Sequence, residues 1–219
     1  MQMKYKINYK QAYASYKRLW KNPSNTFLIF QFTRHLVSPS LKHNYAKLLK
    51  SDLGGEACYI SEEISDYTDT LSQRPEGSVG RECYKLFPKN DNLIKISKRK
   101  QENRQWMEAR HPYSWMARRN IETHDIWHTL TGYPPDDVGE MCLSAFSFAQ
   151  TKFIGWLLIA VGFLKLNGIN IHNIQLMLKS YVAGKRAKYL LAEDYNLLLS
   201  ENLTDARVRL NINAHNTQN

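Results

Sequence analysis

The stretch HDIWHTLTGYPPDDVGE, His124 to Glu140, decides how the chain is read. Its first half has the spacing of a helix, with His124 and His128 one turn apart and Ile126, Trp127 and Leu130 supplying apolar positions. Gly132, Pro134 and Pro135 then break the helix. Asp136 or Asp137 can cap a second helix, and Glu140 falls early on it. A helix, a tight turn and a returning helix are therefore expected.

Working outward, the helix ahead of the break spans Tyr113 to Leu130. The one after it runs from Val138 to Leu166, with a kink at Gly155 and a stop at Asn167-Gly168. Helical spacing continues over Ile174–Ala192 and Leu203–Leu210. Toward the start, Ser78 can cap a helix running to Phe87, behind a turn segment, Leu71 to Gly80, that contains Pro75 and Gly77. Leu41–Leu53 and Thr26–Val37 read as helices, Lys89–Gln105 as a basic loop entering a helix, and 211–219 as a polar tail. Strand-like alternation is rare, so the expected fold is all-α: a single helical domain over 1–219, with the 124–140 helix–loop–helix as its chemical feature.

The chain has 219 residues and 43% apolar content, enough for a sizeable core. Its three cysteines, Cys58, Cys83 and Cys142, show no pairing spacing. This argues against a disulfide framework and a cysteine-type zinc site, and for a reducing compartment. No secretory signal is expected, since the first residues lack an apolar stretch. The longest apolar run, Phe153 to Leu164, is shorter than the roughly 20 residues of a membrane-spanning helix.

The net charge of +10 is unevenly placed. Residues 1–51 hold ten Lys and Arg and neither Asp nor Glu, whereas the remainder is balanced. An amphipathic basic helix is expected over 1–21, with Tyr5, Tyr9, Tyr13, Tyr16 and Trp20 at helical spacing. It could meet an anionic surface, where each lysine contributes about 1 kcal/mol, or simply be a solvated face. No motif supports nucleic-acid binding, so no nucleic-acid partner is expected.

On a helix, His124, Asp125 and His128 lie within roughly a 100° arc, and Glu140 on a returning helix can face them. Two imidazoles with two carboxylates suit a divalent metal: zinc first, with iron, manganese or magnesium as alternatives. The competing reading is a polar helix face with satisfied histidines. An HExxH protease would carry Glu where Asp125 stands. His35, His43, His111 and His172 have no partner spacing. Phe146, Phe153, Trp156 and Phe163 could line an apolar cleft for a lipid, although such a stripe is more often core.

These residues resemble the ubiquinone (coenzyme Q) biosynthesis protein four family. That family carries HDxxH, eleven residues, then Glu, which His124, Asp125, His128 and Glu140 match. The block from Pro75 through Gly80 to Arg81, together with Gln150, Gly184-Lys185-Arg186 and Arg207 to Leu210, is also similar. The resemblance spans roughly 22–213. It departs before the motif, where Arg119 and Glu122 are kept but Asn120 and Ile121 replace a Tyr and an Arg. It departs again where Ser144 and Ser147 stand in place of a Lys and a Glu. Because these changes lie near the motif, substrate and reaction can differ.

The resemblance implies an all-helical protein bound peripherally to the cytoplasmic face of a bacterial inner membrane, or to the matrix side of the mitochondrial one. The implied ligand is a prenylated quinone precursor or another isoprenoid lipid. The implied reaction is oxidative decarboxylation of the ring, alongside other quinone-biosynthesis enzymes and with a homodimer as an open question. The alternatives are a non-catalytic lipid-binding scaffold and an HD-type metal phosphohydrolase, for which His111 and Asp194 would be the further ligands to examine.

Overall fold

In a computed structural model, residues 9–21, 38–51, 70–87, 116, 119–120 and 122–214 are described. The expected helix over Thr26–Val37, the segment Lys89–Gln105, most of the approach to His124, and His35, His111 and Cys58 lie outside them. Among the described residues the secondary structure is helical, with a single isolated bridge between Ser78 and Asn202. The all-α expectation holds.

The first helices are α1 (Tyr9–Lys21), α2 (Ser38–Leu48), α3 (Val79–Leu86) and α4 (His124–Thr131). They are followed by α5 (Asp137–Thr151), α6 (Ile154–Leu166) and α7 (Ile171–Arg186). A 3₁₀ turn (Leu190–Ala192), α8 (Tyr195–Ser200) and α9 (Leu203–Leu210) complete the order. The chain gathers into two compact units, one from Met1–His43 and Tyr133–Arg186, the other from Asn44–Gly132 and Ala187–Asn219.

In the first unit α5 packs against both α6 and α7. The sequence favours this because α6 is apolar on every side and α5 is buried almost throughout. The α5–α7 crossing is close. A Cβ on Gly184 would lie 2.5 Å from the Phe146 carbonyl oxygen and 2.9 Å from Ala149 Cβ. The Gln150 amide donates to the Gly184 carbonyl at 2.6 Å. Phe146, Phe153, Trp156 and Phe163 are all buried. On α1 the inward positions are Ala12, Ser15 and Leu19, whereas Tyr9 and Tyr13 are 72% and 60% exposed. The aromatic stripe therefore divides: Tyr9 and Tyr13 face outward, and Trp20 sits beneath the Lys165 ammonium, 4.3 Å from its ring.

The expected single helix over Val138–Leu166 with a kink at Gly155 is instead two helices. The break falls at Lys152, which adopts a left-handed backbone with φ 52°. Thr151 fixes it: its hydroxyl donates to the Ser147 carbonyl at 2.8 Å and accepts the Phe153 N–H at 3.2 Å. Gly155 is an ordinary buried position inside α6. The expected helix over Ile174–Ala192 likewise starts earlier, at Ile171, and ends at Arg186 before the 3₁₀ turn. α2 starts before the expected Leu41, with Pro39 in its first turn, where no N–H is needed.

In the second unit α3 packs on α4, α8 and α9. Ser78 caps α3 by accepting the Arg81 N–H at 3.2 Å. Gly77 takes φ 74°, and its carbonyl accepts the Leu203 N–H at 2.9 Å. A Cβ on Gly80 would sit 2.8 Å from the Leu199 carbonyl. The Pro75–Arg81 block thus serves close packing. Arg119 is buried, donates to the Leu191 carbonyl at 2.8 Å and to the Glu193 carbonyl, and stacks over Tyr195 at 4.8 Å. Tyr195 also accepts from Trp127 Nε1 at 2.8 Å and donates to the Leu190 carbonyl at 3.1 Å.

Two outcomes follow. Gly184→Ala should lose about 2 kcal/mol, read as a lowered urea midpoint, because the added methyl meets backbone rather than a side chain that can yield. Alkaline pH should also destabilise the protein. Burial pushes the Cys83 thiol up from 9.0 to about 12 and the Tyr133 and Tyr195 phenols from 10.0 to about 12. These groups keep their protons in the native state while the unfolded chain releases them. The stability they carry is complete below the unfolded values and is lost as pH climbs toward 12, by about 1.4 kcal/mol per pH unit per group. Urea melts at pH 7, 9 and 10.5 check this, and Cys83→Ala should flatten the slope first.

Candidate metal centre

His124 opens α4, and His128 follows one turn later. Their ring centroids are 5.0 Å apart with planes at 83°, an edge-to-face arrangement. His128 is 1% exposed and lies 6.0 Å from the Phe87 ring at the end of α3.

The helix carrying the histidines is held at its C-terminal end. Gly132 takes φ 76° and donates its N–H to the His128 carbonyl at 2.9 Å. Thr131 Oγ1 donates to the Trp127 carbonyl at 2.7 Å. Arg207, on α9, donates to the Leu130 and Thr129 carbonyls at 2.9 and 3.0 Å. A cation on the last carbonyls satisfies orphan acceptors and complements the helix dipole. Motif spacing could not find this role, since Arg207 is distant in sequence.

The turn after α4 sets Glu140. Asp136 caps α5, its carboxylate accepting the Gly139 N–H at 2.7 Å. Gly139 presses directly on the turn: a Cβ there would stand 1.8 Å from the Pro134 carbonyl oxygen. Only glycine fits that approach, so the start of α5, with Glu140 on it, is tied to the Pro134-Pro135 turn. Tyr133 is 8% exposed and shares a side-chain hydrogen bond with Ser180 of α7.

Within this run, one ligand atom from each of His124, His128 and Glu140 lies within 4.8 Å of the other two. Asp125, expected as a fourth donor, is not one of the three. One position round the helix from His124, its charge bears on the Cys83 thiol of α3. Two imidazoles and one carboxylate with open positions suit a catalytic zinc or the facial triad of non-haem iron. Asp194, considered for a phosphohydrolase, instead caps α8, accepting the Asn196 and Leu197 N–H groups at 2.9 and 3.1 Å.

A family model described as coenzyme Q (ubiquinone) biosynthesis protein Coq4 matches residues 10–216. The chain belongs to that family. A relative from Danio rerio, named ubiquinone biosynthesis protein COQ4 homolog, mitochondrial, is 28% identical over 152 residues, covering 65% of this chain and 52% of its own length. The Xenopus tropicalis protein of the same name is 26% identical over 149 residues, covering 65% and 50%. The chain thus spans about half the length of these curated relatives. A crystal structure of a protein from Nostoc punctiforme, a candidate ubiquinone biosynthesis protein, superposes with a TM-score of 0.64 at 18% identity, over 95% of this chain and 100% of that one. At that identity the likeness supports the helical fold alone. Among the described residues, no helix is long and apolar enough to cross a membrane.

Gly139→Ala, a change that ordinarily favours a helix, should here cost about 3 kcal/mol or more. Thermal melts against wild type check this. An unchanged melting point would mean that the turn can yield.

Proposed function

We propose that this chain acts in ubiquinone biosynthesis as a metal-dependent protein that binds a prenylated ring precursor and carries out oxidative decarboxylation of the ring. The observation that carries the reading is the His124–His128–Glu140 donor cluster, in a chain whose family is defined by that pathway. His124, His128 and Glu140 would hold one divalent ion. Zinc is the first candidate, with iron as the redox-active alternative.

The bound ion would supply Lewis-acid polarisation of a carboxylate or phenolate oxygen. In the overall change the bond from ring carbon to carboxyl breaks and carbon dioxide leaves. Water supplies the oxygen of the ring hydroxyl that takes its place, and dioxygen accepts the two electrons released and becomes hydrogen peroxide. The chain's own part is to hold the ring. The edge-to-face imidazoles fix the direction of approach, and Phe87 beside His128 gives the site an apolar wall. Exclusion of bulk water strengthens each polar contact within. Lipid contact by Phe146, Phe153, Trp156 and Phe163 would require α5 and α6 to part. Peripheral attachment to an anionic membrane is proposed for the basic, acid-free N-terminal portion, with exposed Tyr9 and Tyr13 as interfacial aromatics.

Protein stripped of metal and reloaded should take up one ion per chain. His128→Ala and Glu140→Gln should each lower its affinity by at least about 10-fold, with Asp125→Asn having a smaller effect. The loaded protein should convert a prenylated hydroxybenzoate to the corresponding prenylated hydroquinone, and the stripped protein should not. Turnover that survives in Glu140→Gln or in stripped protein would overturn the mechanism. Absence of turnover at every metal load, with His124→Ala unfolded, would support a scaffold with a structural ion instead.

A further inference from the structure

The pattern of α7 is inverted. Its buried positions are Asn173, Ser180 and Gly184, none of them apolar side chains. Gly184 lies against the Phe146 backbone of α5, and Ser180 returns its hydroxyl to the Leu176 carbonyl at 2.8 Å. Asn173 donates to the Asn167 and Gly168 carbonyls at 3.1 and 2.9 Å, which ties the turn to the helix. On the opposite side Ile171, Leu178 and Val182 are exposed, by 71%, 54% and 42%. At i, i+7 and i+11 they fall within about 40° of one another, so they form one stripe along a helix about 24 Å long. A helix on a water-facing surface ordinarily turns its apolar side chains inward. A contiguous exposed apolar strip marks a place where something docks.

Charge indicates the partner. From Met141 to Ala192 the sequence holds no Asp or Glu. On α7 itself Lys179, Lys185 and Arg186 are all exposed. Measured from Ile171, helical geometry sets Lys185 about 40° to one side of the stripe, and Arg186 and Lys179 about 60° and about 80° to the other. The compact unit that contains α7 has thirteen Lys and Arg against Asp136, Asp137 and Glu140, so the net charge of +10 belongs to that unit. We propose that the outer face of α7 docks on an anionic lipid bilayer, with the helix lying flat among the headgroups and Ile171, Leu178 and Val182 reaching the acyl boundary. An apolar stripe flanked by cations is the combination that holds a helix in such an interface. The long basic stems keep their charges among the headgroups while their apolar neighbours go deeper. A second copy of the chain fits less well. An isologous contact through this face would set cation against cation, with no carboxylate on α7 to answer them. The inference rests on the membrane-attachment reading above and adds a second surface to it, separate from the N-terminal portion.

Flotation of the full chain with two kinds of vesicle tests this, one of phosphatidylcholine alone and one with about 30% phosphatidylglycerol. Wild type should float with the anionic vesicles and much less with the neutral ones. Ile171→Gln with Leu178→Gln should weaken that binding at least about 10-fold. Lys179→Gln with Lys185→Gln should weaken it about 10- to 30-fold and leave a smaller salt dependence. Val208→Gln, at a still more exposed apolar position on α9, should bind as wild type does. All these positions are exposed, so melting points should hardly move. Undiminished binding by both α7 pairs, in variants that melt as wild type does, would overturn the proposal. If Tyr9→Ser with Tyr13→Ser then abolishes binding, the N-terminal reading stands alone. Loss in the α7 pairs with binding kept in the tyrosine pair would instead leave α7 as the docking surface. Equal weakening by Val208→Gln would overturn the proposal as a nonspecific apolar effect. So would a halved mass of the lipid-free Ile171/Leu178 variant, which would assign the face to a second copy. A wild type that floats with neither vesicle ends both membrane readings.

Discussion

The approach of Gly139 to the Pro134 carbonyl is the constraint on which the chemical part of the molecule depends. A helix that begins this close to the turn before it has little freedom in its first residues. The Asp136 cap removes what remains by taking the Gly139 N–H. Glu140 follows immediately. A carboxylate on a loose loop would give up conformational entropy each time it met a cation. Here that cost is already met in folding, and the ligand atoms of His124, His128 and Glu140 come within 4.8 Å of one another.

Among the described residues, four arginines serve the fold. Arg207 closes the carbonyl end of the histidine helix, and Arg119 ties down the Leu191 and Glu193 carbonyls from a buried position. Arg81 pairs with Glu76 and reaches the Ser72 carbonyl, which secures the turn ahead of α3. Arg209 joins Glu193 and Glu201 at 2.7 Å each. Guanidinium forks suit such tasks because one group can satisfy two carbonyls that a helix end would leave bare.

The same economy throws the two serines of α5 into relief. The Gln150, Thr151 and Ser180 side chains all find carbonyl partners, as tightly packed helices require. Ser144 and Ser147, on the face of α5 that bears Glu140, have no such partner.

Taken alone, the sequence determined the helical class, a helix on each side of Gly132–Pro135, the cap at Ser78, and a cap for α5 at Asp136 or Asp137, of which the structure uses Asp136. Each of these is written in local periodicity or in a residue type with one conformational use. It did not determine the break at Lys152, because a lysine in the left-handed region carries no signal and the Thr151 hydroxyl that holds it there acts through the folded backbone. Nor could it separate Asp125 from the three converging donors or sort α1, where Tyr9 and Tyr13 turn outward and Ala12, Ser15 and Leu19 inward. Which face of a helix is buried, and which neighbouring carboxylate reaches a shared point, depends on what packs against it, and those partners lie far away in the chain.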